Sequence, residues 1–459
     1  MNPEVFREYD IRGKVGTDLS DEFVERLSKA VSVYWKDHGV KRVAIGMDAR
    51  LSSPGYRDIL INGINDSGID VIDLGLAPTP ALYYSLFKLG LDGGIEVTGS
   101  HNPADNNGFK IACGKKTIFG KEIQKIRSYM EEGASIKGSG RSETYDIIPE
   151  YINEIVSRVK TGPRKLKVVI DPGNGVGGYP AMAVLKALDV EVTGICMEPD
   201  GSFPNHHPDP TTADGVAMLR SEVLRQKADI GVGYDGDSDR IGVIDALGNV
   251  IYGDIITLIL ARAILKDAPG QKIIGEVKCS QVFFDEVEKA GGLPIMGVVG
   301  HSLMKDRLMR ENAALAGEMS GHIFFNERWY GFDDAIYATA RLIEVLSNQQ
   351  DPQAVFDGLP KMFNTPEIRV DCPDDIKFKA VEAFKVFAKD AYKDCIDIDG
   401  VRCKSDNAWF LVRPSNTQPV IVLRFEAQTE QALDLLKNDT MERLYKIIQD
   451  LSKKKQQHL

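Results

Sequence analysis

Leu166-Lys167-Val168-Val169-Ile170-Asp171 runs directly into Pro172-Gly173-Asn174-Gly175-Val176-Gly177-Gly178, an apolar strand-like run delivered into a glycine-rich turn. Upstream, similar runs occupy Arg42 to Met47, Ile69 to Leu74 and Gly94 to Val97. Downstream the pattern restarts at Lys272-Ile273-Ile274-Gly275-Glu276-Val277. Strand-like runs that alternate with helix-period stretches are the signature of α/β layers, and these predict three similar α/β units of about 100–150 residues each. The glycine-rich run lacks the lysine of a P-loop. It also does not fit Gly-x-Gly-x-x-Gly with an acidic residue downstream, so it reads as a tight strand-to-helix turn.

At 459 residues the chain is too long for one core. Polar or glycine-rich seams fall at Glu132 to Ser142, at Leu247-Gly248-Asn249 and at Leu359-Pro360-Lys361. Beyond the last seam the pattern becomes α+β. A helical segment at Lys377 to Ala388 precedes short strands at Ala408 to Val412 and Val420 to Phe425, and a helix from about Thr429 to Ser452 follows. The repetition is of architecture, with no short tandem repeat.

A hydrophobic content of 43% and a charged content of 27% are ordinary for a soluble globular enzyme. The formal charge of −11 argues against a nucleic-acid or anionic-membrane surface as the main partner. An acidic chain that handles anionic substrates has to concentrate its positive charge in a cleft. Cys113, Cys196, Cys279, Cys372, Cys395 and Cys403 are scattered without a Cys-x-x-Cys pair, so they are expected to be reduced thiols of the cytoplasm. Met1-Asn2-Pro3-Glu4-Val5 has neither the basic start nor the apolar stretch of a signal peptide. The longest apolar run, Ile255 to Leu265, is broken by Arg262 and is too short to span a bilayer.

Two loops carry the chemistry. Thr98-Gly99-Ser100-His101-Asn102-Pro103 puts one serine at the end of an apolar run, and Asp235-Gly236-Asp237-Ser238-Asp239-Arg240 puts three carboxylates at the end of another. In an extended loop the alternating aspartates can converge on one cation, and hard oxygen ligands select Mg²⁺, Mn²⁺ or Ca²⁺ over Zn²⁺. An EF-hand fails, because its glycine and terminal glutamate positions hold Arg240 and Ala246; a solvated acidic turn is the bland alternative. For Ser100 the alternatives are phosphate carrier or nucleophile and simple turn capping. Asn106-Asn107-Gly108-Phe109-Lys110 adds a second turn and a cation.

Other segments have two readings each. Gly317-Glu318-Met319-Ser320-Gly321-His322 places a carboxylate, a hydroxyl and an imidazole where an extended loop would aim all three at vicinal sugar hydroxyls; an ordinary polar turn is the alternative. Arg413-Pro414-Ser415-Asn416-Thr417-Gln418-Pro419 suits a phosphate dianion or a plain hairpin loop. His101 and His322 can equally be satisfied structural imidazoles. His206-His207, on a proline-flanked loop, lacks the spacing of a closed zinc site and is assigned no role.

Tyr9-Asp10-Ile11-Arg12-Gly13, Thr98 to Pro103, Asp235 to Arg240, Gly317 to His322 and Arg413 to Pro419 occur together and in that order. The set resembles the α-D-phosphohexomutases, and within them the bacterial phosphomannomutase/phosphoglucomutase group. Each motif is modestly specific; five in order along the whole chain are very specific. The resemblance implies four domains around a central cleft: three related α/β domains with mixed sheets and a smaller α+β C-terminal one. The expected spans are 1–147, 148–250, 251–362 and 363–459.

The resemblance also implies roles. Ser100 would carry the phosphoryl group, and its phosphate with Asp235, Asp237 and Asp239 would hold one Mg²⁺. Arg240 would bind the reacting phosphate, while Arg12, His101, Lys110 and His322 would line the reaction centre. Glu318 and Ser320 would grip sugar hydroxyls, with Tyr9 and His301 nearby and Lys278 a weaker match. Arg413, Ser415, Asn416 and Thr417 would bind the distal phosphate. The implied activity interconverts hexose 1-phosphate and hexose 6-phosphate of mannose or glucose, with hexose 1,6-bisphosphate as intermediate and activator, in a cytoplasmic monomer or homodimer. Phosphoglucosamine mutase is the nearest rival, but that branch typically has glutamine at Met319 and Gly-Thr-Asp-Gly at Arg7 to Asp10. A metal-dependent sugar-phosphate phosphatase is the rival of another class.

Overall fold

The computed structural model describes residues 1–415 and 418–456, the last three without their side chains. Four sheets follow one another along the chain. The first runs in the order Ile11–Lys14, Asn106–Cys113, Gly93–Val97, Arg42–Met47, Asp70–Leu76, Ser142–Thr144. The second runs Val250–Ile251, Ile241–Asp245, Ile230–Tyr234, Lys167–Asp171, Glu191–Gly194. The third is Leu293–Gly297, Lys272–Glu276, Leu315–Gly317, Ile323–Phe325. In the fourth, Val420–Ala427 lies between Phe363–Asn364 and Ala408–Pro414 and also pairs with Ile368–Asp371.

One device recurs in all three α/β sheets. A parallel strand ends in a loop and the chain returns antiparallel: Gly93–Val97 with Asn106–Cys113, Ile230–Tyr234 with Ile241–Asp245, and Leu315–Gly317 with Ile323–Phe325. The fourth sheet has a hairpin of its own, Ala408–Pro414 with Val420–Ala427. The serine, aspartate, Glu318 and Arg413 segments lie at these returns. The expected turn at 106–110 is therefore a strand, in which Lys110 stands opposite Glu96. Gly108 had suggested a break, but it pairs with Arg12 in the sheet while its amide donates to the Asn107 side chain at 2.8 Å, and a Cβ there would come within 2.5 Å of the Ile11 carbonyl.

Local chemistry explains the helices. Asp21–Asp37 begins at Ser20, whose hydroxyl accepts the Phe23 amide proton at 3.2 Å, and Asp21 and Glu22 face the positive helix end. Its buried stripe, Val24, Leu27, Val31 and Trp35, covers one face of the first sheet. A single apolar core runs through the first three units, from Leu82 and Tyr84 through Tyr151, Ile170 and Ile241 to Leu260, Phe325 and Tyr337. Within it Trp329 stacks on Tyr337 with centroids 4.2 Å apart. The fourth unit keeps its own core around Phe384, Phe410, Leu423 and Phe425. It docks on the third unit through a small apolar contact of Trp409 and Leu411 with Val277 and through polar clamps. Arg402 donates to the carbonyls of Val277 (2.6 Å) and Cys279 (2.7 Å), and Glu426 accepts from the Ser280 hydroxyl (2.8 Å).

The expectation of reduced thiols needs a correction. Cys395 and Cys403 are bonded, with Cα atoms 4.1 Å apart. They stand opposite each other on antiparallel strands, Asp394–Ile396 and Val401–Lys404, where cross-strand Cβ atoms approach closely. Spacing along the sequence does not reveal such a register. Cys113, Cys196, Cys279 and Cys372 are free. No helix among the described residues is long and apolar enough to cross a membrane.

Asp334 ties the third-unit helix Ala335–Ser347 to Ile148–Arg158, the first helix of the second unit. It accepts from the Tyr337 amide (2.8 Å) and from the Tyr151 hydroxyl (2.7 Å). Burial pushes its carboxyl up to about 7. Because the folded chain holds that proton more tightly than the unfolded chain, the stabilisation is complete below about pH 4 and disappears as pH rises through about 7. Asp334→Asn should therefore flatten the stability profile between those limits relative to the parent chain, by up to roughly 1.4 kcal/mol per pH unit. Urea denaturation at stepped pH measures it, and unchanged slopes would contradict the assignment.

Candidate active site

Ser100 lies just past the end of Gly93–Val97 with φ of 49°, a left-handed conformation that costs a non-glycine residue on the order of 1–3 kcal/mol. Its backbone is held from both sides. The Ser100 amide donates to Thr98 Oγ1 at 2.8 Å, and its carbonyl accepts from Arg50 at 2.8 Å. Arg50 also donates to the carbonyls of Asn102 (2.6 Å), Pro103 (2.6 Å) and Asn106 (2.8 Å) and pairs with Asp48 at 3.1 Å. A Cβ on Gly99 would stand 2.5 Å from the Arg50 guanidinium carbon, so glycine is required there.

The strained turn aims the hydroxyl across the unit boundary. Ser100 Oγ donates to Asp235 Oδ2 at 2.7 Å and lies 3.1 Å from His101 Nδ1. The loop from Asp235 to Arg240 is not extended, as the alternating spacing suggested. Ser238 turns it at φ of 60°, and Gly236 packs so close that a Cβ would meet the Ser100 carbonyl at 2.7 Å. The three aspartates still converge: one carboxylate oxygen from each lies within 4.8 Å of the others, and all three residues are buried. Lys110 enters from the neighbouring strand, 2.5 Å from Asp237 and in direct contact with Asp239. Asp237 also accepts from the Thr79 hydroxyl at 2.6 Å.

Charge in this pocket is finely set. Burial, with Asp237 and Asp239 beside it, pushes the Asp235 carboxyl well up. Burial works against the Lys110 ammonium too, but Asp237 and Asp239 outweigh it and hold the lysine charged. Burial, reinforced by Arg240 and Arg12, keeps His101 neutral. The outer oxygens Asp237 Oδ1 and Asp239 Oδ1 are buried with no hydrogen-bond partner. Orphaned carboxylate oxygens of this kind are costly unless something cationic takes them, so the cluster fits a hard divalent cation.

The remaining segments close around this point. His322 Nδ1 is 3.0 Å from Asp333 Oδ2 and 3.5 Å from Asp239 Oδ1, and its ring stacks on His301 at 5.4 Å. Burial opposes its charge, but the Asp239 and Asp333 carboxylates carry the balance upward. Arg240 donates to the Ser320 carbonyl (2.8 Å) and the Thr211 hydroxyl (3.2 Å). Arg12 pairs with Asp10 at 2.6 Å and reaches the Asn102 side chain at 3.5 Å.

The segment 318–322 is a tight turn with Gly321 at φ of 94°, not an extended loop. Glu318 and Ser320 nevertheless meet, with the hydroxyl 3.1 Å from Glu318 Oε2, while His322 points to Asp333. Glu318 Oε1 accepts the Gly300 amide at 3.0 Å, beside His301. Tyr9 donates to the Val299 carbonyl at 2.6 Å. Lys278 lies between Glu276 (3.6 Å) and Glu367 (3.4 Å). Arg413 pairs with Asp399 at 3.1 Å, and Asp399 also accepts the Val299 amide at 3.0 Å, which links the fourth hairpin to the rim of the cleft. The Ser415 hydroxyl accepts the Gln418 amide at 3.1 Å. Asn416 and Thr417 lie outside the described residues.

Patterns of the phosphoglucomutase/phosphomannomutase family match the chain in succession: α/β/α domain I over residues 3–137, domain II over 149–248, domain III over 252–363 and the C-terminal domain over 367–443. The chain belongs to this family. It is 42% identical over 434 residues to the phosphomannomutase/phosphoglucomutase of Pseudomonas aeruginosa, covering 94% of each chain. It is 39% identical to the phosphoglucomutase of Neisseria gonorrhoeae, covering 95% of each. A crystal structure of a phosphoglucomutase/phosphomannomutase family protein from Burkholderia thailandensis superposes with a TM-score of 0.92 at 38% identity, over 97% of this chain and 98% of that one.

The sequence reading missed several residues that the fold brings to this cluster. Arg50 and Asp48 follow the apolar run Arg42–Met47 directly, and charge at a strand end was the available signal. Asp333 and Lys305, 2.9 Å apart, and Tyr83 beneath Lys305 gave none, because only the tertiary fold brings them to the histidines. Arg50→Lys keeps the charge but not the planar fork that spans four carbonyls. Amide exchange across residues 99–106 should then accelerate by at least ~10-fold while the rest of the first sheet keeps its protection. Mass-spectrometric hydrogen exchange measures this; unaltered protection would mean that the loop does not depend on Arg50.

Proposed function

We infer that the chain interconverts hexose 1-phosphates and hexose 6-phosphates of mannose or glucose, as an isomerase that moves the phosphoryl group through its own serine. The observation that carries the reading is the 2.7 Å contact between Ser100 Oγ and Asp235 Oδ2. It sets the hydroxyl at the edge of a buried cluster of three aspartates and a lysine. The family membership and the close match to named phosphomannomutase/phosphoglucomutase relatives support it. In this reading the units span 1–147, 148–250, 251–362 and 363–459. The protein works in the cytoplasm as a monomer or homodimer on small hexose phosphates, with neither nucleic acid nor membrane as partner. The bonded Cys395–Cys403 pair is the feature least at home in a reducing compartment.

Ser100 is the phosphoryl carrier. Asp235, Asp237 and Asp239, with the phosphate on Ser100, would hold one Mg²⁺, which when bound neutralises charge on the transferring group. The protein's own groups do the rest. Lys110, Arg12 and Arg240 present positive charge to the phosphate, since phosphoryl transfer is mainly positioning and electrostatics. As the phosphoryl group passes from Ser100 Oγ to a sugar hydroxyl, the P–O bond to the serine breaks and the bond to the sugar oxygen forms. The displaced hydroxyl proton then has to reach Ser100 Oγ. Neutral His101, 3.1 Å from that oxygen, is placed to relay it. His322, whose charged form burial opposes but Asp239 and Asp333 favour, is a second candidate donor.

Glu318 and Ser320 hold the sugar hydroxyls, with Tyr9, His301 and Lys278 around them. Arg413, Ser415, Asn416 and Thr417 take the distal phosphate. Because one phosphate group reacts and the other is only held, a hexose 1,6-bisphosphate can bind in either orientation and exchange roles. The same bisphosphate serves as activator by phosphorylating a bare Ser100. The fourth unit, with a separate core and polar clamps, can open for that turn.

The test compares mannose 1-phosphate, glucose 1-phosphate and glucosamine 1-phosphate with Mg²⁺ and a trace of glucose 1,6-bisphosphate. Conversion of the first two is expected, with Ser100→Ala and Asp237→Ala each lowering kcat by at least ~10³-fold. Glu318→Gln should raise KM more than it lowers kcat. Preference for the amino sugar would shift the substrate assignment, and release of free phosphate would replace the mutase with a phosphatase.

A further inference from the structure

Behind the aspartate loop, the second unit gathers an acid, a thiol and an imidazole that the phosphoryl chemistry does not use. Asp171 ends the strand Lys167–Asp171, Cys196 follows Glu191–Gly194, and His206 comes from the proline-flanked loop. One ligand atom from each lies within 4.8 Å of the others. Asp171 Oδ2 and His206 Nε2 are 3.0 Å apart, with side chains 1% and 10% exposed. We propose that Asp171, Cys196 and His206 form a second cation site, for a borderline divalent ion of the Zn²⁺ class, separate from the Asp235–Asp239 centre.

Three observations support this beyond the cluster itself. His206 Nδ1 donates to the His207 carbonyl at 2.9 Å, which leaves Nε2 as the ring atom turned to Asp171 Oδ2 at 3.0 Å; without an ion Nε2 donates its own proton to that carboxylate, and a bound cation would take the proton's place. Metal-bound imidazoles are oriented in this way by a carbonyl on the far nitrogen. Asp171 is similarly divided: Oδ1 accepts the Gly173 amide at 3.0 Å, and Oδ2 is the oxygen turned to the cluster. Cys196 has φ of 48°, a left-handed conformation unusual for cysteine, and its carbonyl is fixed by the Asn174 amide at 2.9 Å. A cation held by bonds of about 2.0–2.3 Å brings its ligand atoms to roughly 3–4.5 Å from one another, and Asp171 Oδ2 and His206 Nε2 stand 3.0 Å apart. Mixed sulfur, nitrogen and carboxylate donors select Zn²⁺ over Mg²⁺. Without the ion, burial and the Asp171 carboxylate push the Cys196 thiol up to about 12, and a bound ion would reverse that balance.

The position gives the ion a structural role. The glycine-rich turn that begins at Pro172 donates through the Val176 amide to the Gly236 carbonyl at 3.1 Å, inside the aspartate loop. The loop carrying His206 also holds Phe203, whose ring lies 5.1 Å from the Arg50 guanidinium. An ion at Asp171, Cys196 and His206 would therefore join three segments directly beneath the reaction centre. The adjacency of His206 and His207 is irrelevant to it, because the partners are a strand end and a neighbouring crossover.

The experiment uses the full chain, freed of metal with a chelator and titrated with Co²⁺. A thiolate-to-cobalt charge-transfer band in the near ultraviolet is expected, since the oxygen ligands of the aspartate cluster cannot give one. Cys196→Ser and His206→Asn should each lose the band, and equilibrium dialysis with Zn²⁺ should show one equivalent fewer for each than for the parent. Thermal unfolding should shift upward with Zn²⁺ by more in the parent than in Cys196→Ser. Absence of the band in the parent chain overturns the proposal without recourse to any variant. Its persistence in Cys196→Ser also overturns it, by assigning the thiolate to another cysteine.

Discussion

Arg50, its side chain fully buried, forms hydrogen bonds to four backbone carbonyls and pairs with the buried Asp48. The rest of the site depends on this constraint. A buried guanidinium is tolerated only where its donors are used, and here they are used to fold the loop from Ser100 to Asn106 around a single cation. That loop holds Ser100 in a left-handed conformation it would not choose, and the conformation carries the hydroxyl to Asp235 in the next unit. Because Phe203 covers the same guanidinium, the second unit is fitted to the loop that the first unit presents.

The four hairpin returns explain how a chain of separate sheets makes one site. Each α/β sheet ends a parallel strand at a loop and reverses, so the polar residues of that loop need not be part of any core. The continuous apolar core beneath the first three units fixes their loops relative to one another. The fourth hairpin is attached differently, through Arg402, Glu426 and Asp399, with its own core behind it. Rigid positioning of the serine, the aspartates and the Glu318 turn coexists with a smaller junction of hydrogen bonds and the Val277, Trp409 and Leu411 contact, which exposes less apolar surface on separation than the shared core would.

The strand runs, the α+β character after Leu359 and the serine and aspartate loops were legible because each lies within one stretch of sequence with its own period or spacing. The turn at 106–110 was misread because Gly108 and two asparagines signal a break locally, whereas the sheet accepts them between Ile11–Lys14 and Gly93–Val97. Geometry within loops was misread as well. Alternating aspartates suggested an extended chain, and the structure brings the carboxylates together with a left-handed Ser238. The Cys395–Cys403 bond was hidden because register across a sheet is set by pairing and not by spacing.

The sequence by itself determined the class of fold, the order of the units and which loops carry the serine, the aspartates and Glu318, because hydrophobic period and motif spacing are local properties. Only the tertiary structure decided which groups meet: Lys110 with Asp237 and Asp239, His322 with Asp333 and His301, Arg50 with four carbonyls, and His206 with Asp171 and Cys196. These partners come from different strands or different units. Their charge states depend on burial and on neighbours within a few ångströms, and both exist only once the sheets have packed.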